Sequence, residues 1–381
     1  RERAKALIGP KAARPLVVST FHSLGVRLLR EDGQRVGLKP QFSILDSDDV
    51  LGILKDAGGS TDNALARRWQ WAISLWKNQG LNSAQVEPAD DDERVAQRVM
   101  QRYEERLAAF QAVDFDDLIG LPVALLRRDA EARAKWQAQL RYLLVDEYQD
   151  TNAVQYELLK ALVGEDGVFT AVGDDDQSIY GWRGATIDNL KRLPQDYPSL
   201  KVIPLEQNYR STGNILAAAN ALIARNSERL GKELWTAAGK GERIAVYAAY
   251  NEQDEARYVV ERIRRAIAED LRPSEVAILY RANALSRVFE EELIRHGIAY
   301  RVHGGLRFFE RAEIKDALAW LRLAANPADD GAFERAVGTP PRGVGEKTLQ
   351  DLREVARAGG VPMLQATRES LRAGAIKGKA R

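Results

Sequence analysis

Apolar residues recur every three or four positions through most of residues 25–127, so that stretch is expected to be almost wholly helical. Leu65, Trp69, Ala72, Ile73 and Trp76 make one stripe, and Val95, Val99, Tyr103, Leu107 and Phe110 make another. Each has the spacing of a helix face that packs on a core. Pro40 and the acidic run Asp90-Asp91-Asp92 punctuate the pattern. Trp69 and Trp76 lie on the first stripe, which assigns them to packing; Trp71 lies off it and stays open to stacking on a base.

Elsewhere the period shortens. Apolar runs predict strands at 15–19, 142–145, 168–172, 201–205, 243–249, 275–280 and 298–303, the run Tyr142-Leu143-Leu144-Val145 reading as a buried strand. Helices are expected from His22 to Arg30, at 153–163 closed by Gly164, at 213–225 beneath the capping pair Ser211-Thr212, at 254–268, and at 287–295 stopped by Gly297. Beyond Phe309 helices dominate, with breaks at Asn326-Pro327 and Thr339-Pro340-Pro341, and 377–381 reads as a cut or frayed end. The order predicts an α/β fold in which a helical insertion separates strands of one sheet and a second α/β unit follows.

Asp146 and Glu147 emerge at the carboxyl end of the 142–145 run, where an open α/β sheet places its ligand chemistry. The chemistry expected there is a magnesium-bound nucleotide. Asp146 would hold Mg2+, commonly through its water shell, and Glu147 would orient and deprotonate an attacking water. A strand running into an acidic surface turn is the bland alternative. The 168–172 run opens into Gly173-Asp174-Asp175-Asp176-Gln177-Ser178-Ile179-Tyr180-Gly181-Trp182-Arg183-Gly184-Ala185. A loop so dense in hydrogen-bonding groups at a strand end reads as a site and not a spacer. The 201–205 run leads into Glu206-Gln207-Asn208-Tyr209-Arg210-Ser211.

With DEYQDTN at 146–152, GDDDQSIYGWRGA at 173–185 and LEQNYRS at 205–211, the sequence resembles superfamily 1 DNA helicases of the UvrD, PcrA and Rep group. The triple Asp and the LEQNYRS form sit nearest the Rep branch. Thr20-Phe21-His22-Ser23 matches an earlier motif of that group; Arg281-Ala282-Asn283, Ser286-Arg287 and the block Gly304–Asp316 match its second half. The resemblance therefore runs in order through nearly the whole chain.

It implies P-loop NTPase (RecA-like) sheet domains with helical insertions, incomplete at both ends. The first such domain would comprise 1–24 and 128–206, its insertion 25–127, the second sheet domain 207–306, and a helical accessory subdomain 307–381. ATP and Mg2+ are the implied cofactors. The implied activity is 3′-to-5′ movement on single-stranded DNA and unwinding at single-strand/duplex junctions, in replication or repair. Replication or repair proteins and self-association are the further partners considered. A repair helicase of the UvrD or PcrA type, a helicase-nuclease subunit, and a DNA-binding or regulatory remnant without ATPase activity are the alternatives.

Roles follow from side-chain chemistry joined to that resemblance. Gln177 would position the hydrolytic water and sense the γ-phosphate, and Arg210 would stabilise the transferring phosphoryl group. Arg183 is a second candidate for that task, or a link from Asp146-Glu147 to the DNA loop. Tyr209 would stack on adenine. Surface salt bridges and a packed ring are the competing readings. Tyr180 and Trp182, beside Gly181 and Gly184, would stack on unpaired bases, unless Trp182 anchors the loop to the core. Thr20, Phe21 and His22 are weaker DNA candidates: Thr20 and Ser23 could donate to a phosphate at a helix start, against a satisfied buried histidine. Gly343 and Gly345 could form the phosphate-holding turn of a helix-hairpin-helix, or a plain loop. Gly304-Gly305 and Phe308-Phe309 are open between hinge, DNA contact and core.

Bulk properties add limits. At 381 residues the chain is too long for one compact domain, and 45% hydrophobic residues suffice for real cores. No run of about 18 apolar residues is present for a membrane span, and no signal-peptide pattern precedes Thr20, so a cytoplasmic protein is expected. With no cysteine there is neither disulfide nor thiolate metal site, and His22, His296 and His303 lack metal-ligand spacing. A net charge of +1 makes no electrostatic case for nucleic acid, which must rest on local residues. The phosphate-cradling string G-x-x-x-x-G-K-[ST] is nowhere in the sequence, and Arg1 is not an initiator methionine. The expectation is a chain that begins partway into a longer protein and alone hydrolyses ATP poorly or not at all.

Overall fold

The computed structural model describes residues 2–164, 167–227, 229–303 and 312–376, with the backbone alone for Arg183, Ala312 and Glu346. The Gly304–Phe309 segment and the 377–381 end, on which expectations were placed, lie outside the described residues. Two compact units form: residues 1–204 with 227–231 and 319–381, and residues 205–226 with 232–318.

In the first unit the apolar stripes become helices Ser47–Gly58, Asn63–Asn78 and Asp91–Phe110. Each starts at an aspartate, Asp46, Asp62 or Asp90, whose carboxylate accepts first-turn N–H groups. They enclose a core of Leu54, Trp69, Ile73, Trp76, Val99 and Tyr103. Trp69 and Trp76 are buried as their stripe predicts, and Trp71 is 65% exposed. Gly58 exists for Trp69: a Cβ there would come within 2.1 Å of the indole. The stretch is not purely helical, because β1 (Ser43–Ile44) and β2 (Ala112–Val113) pair in parallel across it.

A second cluster joins helices Phe21–Asp32, Asp117–Arg128, Ala130–Gln139 and Ala153–Val163 through Leu28, Ile119, Leu126, Trp136 and Leu158. The last of these helices connects β3 (Tyr142–Val145) to β4 (Val168–Ala171), a parallel pair in register Tyr142↔Val168 through Val145↔Ala171. Its start is a capping box built by Asn152 and Gln155, and Gly164 ends it at φ 69°.

Two corrections concern the sheet. The 142–145 run is not buried on both faces. Leu143 and Val145 pack toward Tyr148, Tyr156 and Leu159, while Tyr142 is 72% and Leu144 80% exposed. Successive side chains point to opposite faces, and this pair has a core on only one. Among the described residues, 15–19, 201–205, 243–249, 275–280 and 298–303 carry no ladder. An apolar run supplies a face to bury, but strand hydrogen bonds exist only where a neighbouring backbone accepts them. The sheet is therefore far smaller than the apolar runs predict, in a mostly helical α/β chain.

The second unit packs helices Glu252–Ala268 and Ser286–Arg295 through Val260, Ile263 and Leu293. Helix Gly213–Ile223 follows Thr212, whose side chain makes no capping bond. Its first N–H groups go instead to the backbone, Gly213 N–H to Gly239 O at 2.8 Å and Asn214 N–H to Lys240 O at 2.9 Å, so the expected Ser211-Thr212 cap is replaced by a loop. Among the described residues no helix is long and apolar enough to cross a membrane.

Candidate functional site

Asp146 and Glu147 leave the end of β3 exposed to solvent. Glu147 sits in the left-handed region at φ 51° and ψ 44°, a conformation that costs a non-glycine residue energy and concentrates at functional sites. Its N–H donates to Asp146 Oδ1 at 3.0 Å. The Tyr148 N–H then donates to Val172 O at 2.9 Å, which ties this turn to the end of β4.

Gln149, 1% exposed, joins the two strand ends. Its Nε2 donates to Glu147 Oε2 at 2.8 Å, and its Oε1 accepts the Asp174 N–H at 2.9 Å. Gln177 Nε2 donates to Asp174 Oδ2 at 2.6 Å. Glu147, Gln149, Asp174 and Gln177 thus form one hydrogen-bonded chain across two loops. Gly173 packs closely on this chain: a Cβ there would lie 2.9 Å from Gln149 Oε1, which would have to shift. Sequence reasoning named the ends of this chain and missed Gln149 and Asp174, although both lie inside the strings that were singled out.

The carboxylates of Asp174, Asp175 and Asp176 gather within 4.8 Å of one another. Protein donors meet each of them: Arg229 grips Asp176 with two bonds of 2.7 Å, Leu230 N–H donates to Asp175 at 2.7 Å, and Gln177 holds Asp174. Beyond them Tyr180 is 37% and Trp182 65% exposed, on a one-turn helix Gly181–Arg183 ended by Gly184 at φ 85°. The Arg183 side chain lies outside the described part of the structure.

Thr20, Phe21 and His22 stand at the start of helix Phe21–Asp32. Thr20 spends its hydroxyl on the cap, accepting Ser23 N–H at 3.2 Å and donating to Ser23 Oγ at 3.1 Å. Phe21 packs against the Leu28 cluster. His22 lies edge-on to Phe115 at 6.0 Å, and burial lowers its pKa, which favours the neutral ring. Gly343, at φ 78°, and Gly345 lie in the link between helices Asp330–Gly338 and Glu346–Gly359. Arg342 shapes that link, donating to Ala336 O at 3.0 Å with its guanidinium 4.6 Å from the Trp320 ring.

In the second unit Tyr209 is 84% exposed, its hydroxyl donating to Gln207 Oε1 at 2.8 Å. Asn208 Oδ1 accepts the N–H groups of Arg210 at 2.9 Å and Ser211 at 2.8 Å, a turn that leaves the Arg210 side chain in solvent.

A buried charge cluster escaped sequence reasoning altogether. Lys77 Nζ lies 2.7 Å from Asp114 Oδ2 and 2.8 Å from Asp117 Oδ1, and Tyr103 OH donates to Asp114 at 2.9 Å. Burial and the Asp114 charge raise the pKa of Asp117 and push that of the adjacent Asp116 up to about 6. The available signal was the string Asp114-Phe115-Asp116-Asp117, three acids within an otherwise core-forming stretch.

Comparison with known proteins agrees with the motifs. Residues 1–198 match the family model of the UvrD/REP helicase N-terminal domain, and residues 203–368 match the UvrD-like helicase C-terminal domain. The chain is 46% identical over 373 residues to the ATP-dependent DNA helicase Rep of Escherichia coli strain K12, covering 96% of this chain and 55% of that protein. It is 45% identical over 369 residues to DNA helicase II of the same strain, covering 95% and 51%. It is 44% identical over 410 residues to the ATP-dependent DNA helicase UvrD1 of Mycobacterium bovis, covering 99% and 53%. The chain spans about half the length of these relatives, and identities of 46% and 45% do not separate Rep from DNA helicase II. Two family models that together run through residues 1–198 and 203–368 show that the chain belongs to the UvrD/Rep helicase family.

Proposed function

We propose that this chain carries machinery of an ATP-driven DNA helicase, with nucleotide hydrolysis at the end of β3 and a grip on single-stranded DNA in the 173–185 loop. The observation that supports this best is the Glu147–Gln149–Asp174–Gln177 chain. It holds a carboxylate fit to take a proton from water and an amide fit to sense a phosphate on one rigid frame. Gln149 orients the Glu147 carboxylate for a proton, and Asp174 holds Gln177 by its Nε2 so that Oε1 can accept from a water. The exposed Asp146 carboxylate suits Mg2+, a hard cation that takes oxygen ligands and keeps much of its water. Bound with a triphosphate, the ion would neutralise charge on the phosphoryl oxygens.

Tyr209 and Arg210 supply an exposed ring for adenine and a permanent positive charge for phosphoryl oxygens. Tyr180 and Trp182 offer faces for unpaired bases, at about 1–3 kcal/mol per stacked base. RecA-like domains bounded as the motifs imply, 3′-to-5′ polarity, action at single-strand/duplex junctions, and a cytoplasmic role in replication or repair belong to the same proposal.

Glu147→Gln in the full-length protein tests it. ATP binding is expected to persist while DNA-stimulated kcat falls by about 10²–10⁴-fold. A fall of less than about threefold, or loss of ATP binding in parallel, would remove Glu147 from the proton-transfer role.

A further inference from the structure

Asn152, the last residue of the DEYQDTN string, is a junction. Its Oδ1 accepts the Gln155 N–H at 2.8 Å and so caps the helix after β3. Its backbone bridges Ala185, and the neighbouring Thr151 O accepts the Thr186 N–H at 3.1 Å. Asn189, 1% exposed, donates to Thr151 O and Asn152 O, each at 3.0 Å. The Asn152 Nδ2 donates to Asn78 Oδ1, at the end of a helix in the insertion. Asn78 in turn donates its Nδ2 to Ser74 O at 2.8 Å and to Asp116 Oδ1 at 3.0 Å. Gly184 closes the arrangement: a Cβ there would lie 3.4 Å from Asn78 Cβ and 4.0 Å from Asn152 Cβ.

The polarity of this series is not arbitrary. An ionised carboxylate only accepts hydrogen bonds, whereas an amide can turn either end toward a partner. Asp116 together with Ser74 O fixes the Asn78 amide with its nitrogen inward, so its oxygen faces Asn152. Asn152 must then give its nitrogen to Asn78 and keep its oxygen for the helix cap. One acceptor-only group thereby sets two amides in sequence.

We propose that Asp116 and Asn78 are positioning residues: through Asn152 they fix the seat of residues 184–189, and with it the loop bearing Gln177, Tyr180 and Trp182, so that the helical insertion governs that loop. Asp116 is held ionised at neutral pH against burial and the Asp114 charge. A group kept only for stability would serve better as a neutral amide, so the acid points to a task beyond packing. The kinetic consequence rests on the helicase reading; the structural one does not.

The test is Asp116→Asn, which keeps shape and removes the acceptor-only character. In the 381-residue chain at pH 7.5, amide hydrogen exchange across 184–189 is expected to rise by about tenfold. Exchange in helices Asn63–Asn78 and Asp91–Phe110 should stay unchanged, and Tm should hold or rise. In the full-length protein, DNA-stimulated kcat should fall by about tenfold with KM for ATP held. Asn78→Ala, which removes the acceptor of the Asn152 Nδ2, is expected to raise exchange at 184–189 as well. Unchanged exchange there, or a lowered Tm with exchange rising through all the helices, would overturn the proposal. A wild-type protein without DNA-stimulated turnover would count against the helicase reading alone, and the exchange result would still decide the positioning role.

Discussion

Asp116 costs the folded chain stability at neutral pH, because burial and a like charge oppose its ionisation. Its pKa is raised to about 6 by burial and the Asp114 charge, against relief from Ser74, Lys77 and Asn78. Lys77, Tyr103, Asp114 and Asp117 are the other titratable groups of the cluster. A carboxyl whose folded pKa is raised favours the folded state while protonated, and that contribution is lost as pH climbs through about 6. Asp116→Asn should therefore stabilise the chain by about 1–3 kcal/mol at pH 7–8, with the gain shrinking toward zero near pH 4. Urea titrations at several pH values would measure it, and a constant difference across that range would contradict it. This residue was not legible in the sequence, nor were Asn78, Gln149 and Asn152 as a set. Their meaning lies in hydrogen bonds across 25–74 residues of chain, and amides leave no periodic trace. Glu147 and Gln177 stand out in the sequence because they lie in the DEYQDTN and GDDDQSIYGWRGA strings, and their roles belong to the proposed function.

Helices were read closely because their signals are local. The helix expected at 153–163 is Ala153–Val163, and those expected at 254–268 and 287–295 are Glu252–Ala268 and Ser286–Arg295. Period, cap and closing glycine all lie within a few residues of one another. Strands depend on a partner that the run itself does not contain, and of the seven predicted strands only β3 and β4 carry ladders among the described residues. Even there, burial follows alternation and not the unbroken apolar string. Leu143 packs against both the Leu158 and Tyr156 clusters, whereas Leu144 is 80% exposed. In the 381-residue chain Leu143→Ala should cost about 1–3 kcal/mol and Leu144→Ala less than about 0.5 kcal/mol. Equal losses in thermal unfolding would show that β3 is covered on both faces.

At the scale of the whole molecule, family membership was legible from long strings in a fixed order, which need no knowledge of how distant segments pack. The same strings carry the chemistry proposed for this chain. Under the proposed function the carboxylates of Asp146 and Glu147 and the amide of Gln177, all in the first unit, would serve a nucleotide. No G-x-x-x-x-G-K-[ST] string occurs in the chain's 381 residues. In P-loop NTPases that string supplies the backbone amides that cradle phosphates, the lysine that reaches the β- and γ-oxygens, and the hydroxyl that shares the magnesium ion. Glu147 and Gln177 can orient a water only against a phosphoryl group that is held still, and positioning is most of what phosphoryl transfer asks of a protein. The purified 381-residue chain should thus turn over ATP at least about 10²-fold more slowly than the full-length protein under saturating single-stranded DNA. Phosphate release measured for both, side by side, checks this. Comparable rates would mean that another part of this chain holds the triphosphate, and the assignment of the hydrolytic site to the end of β3 would fall with it.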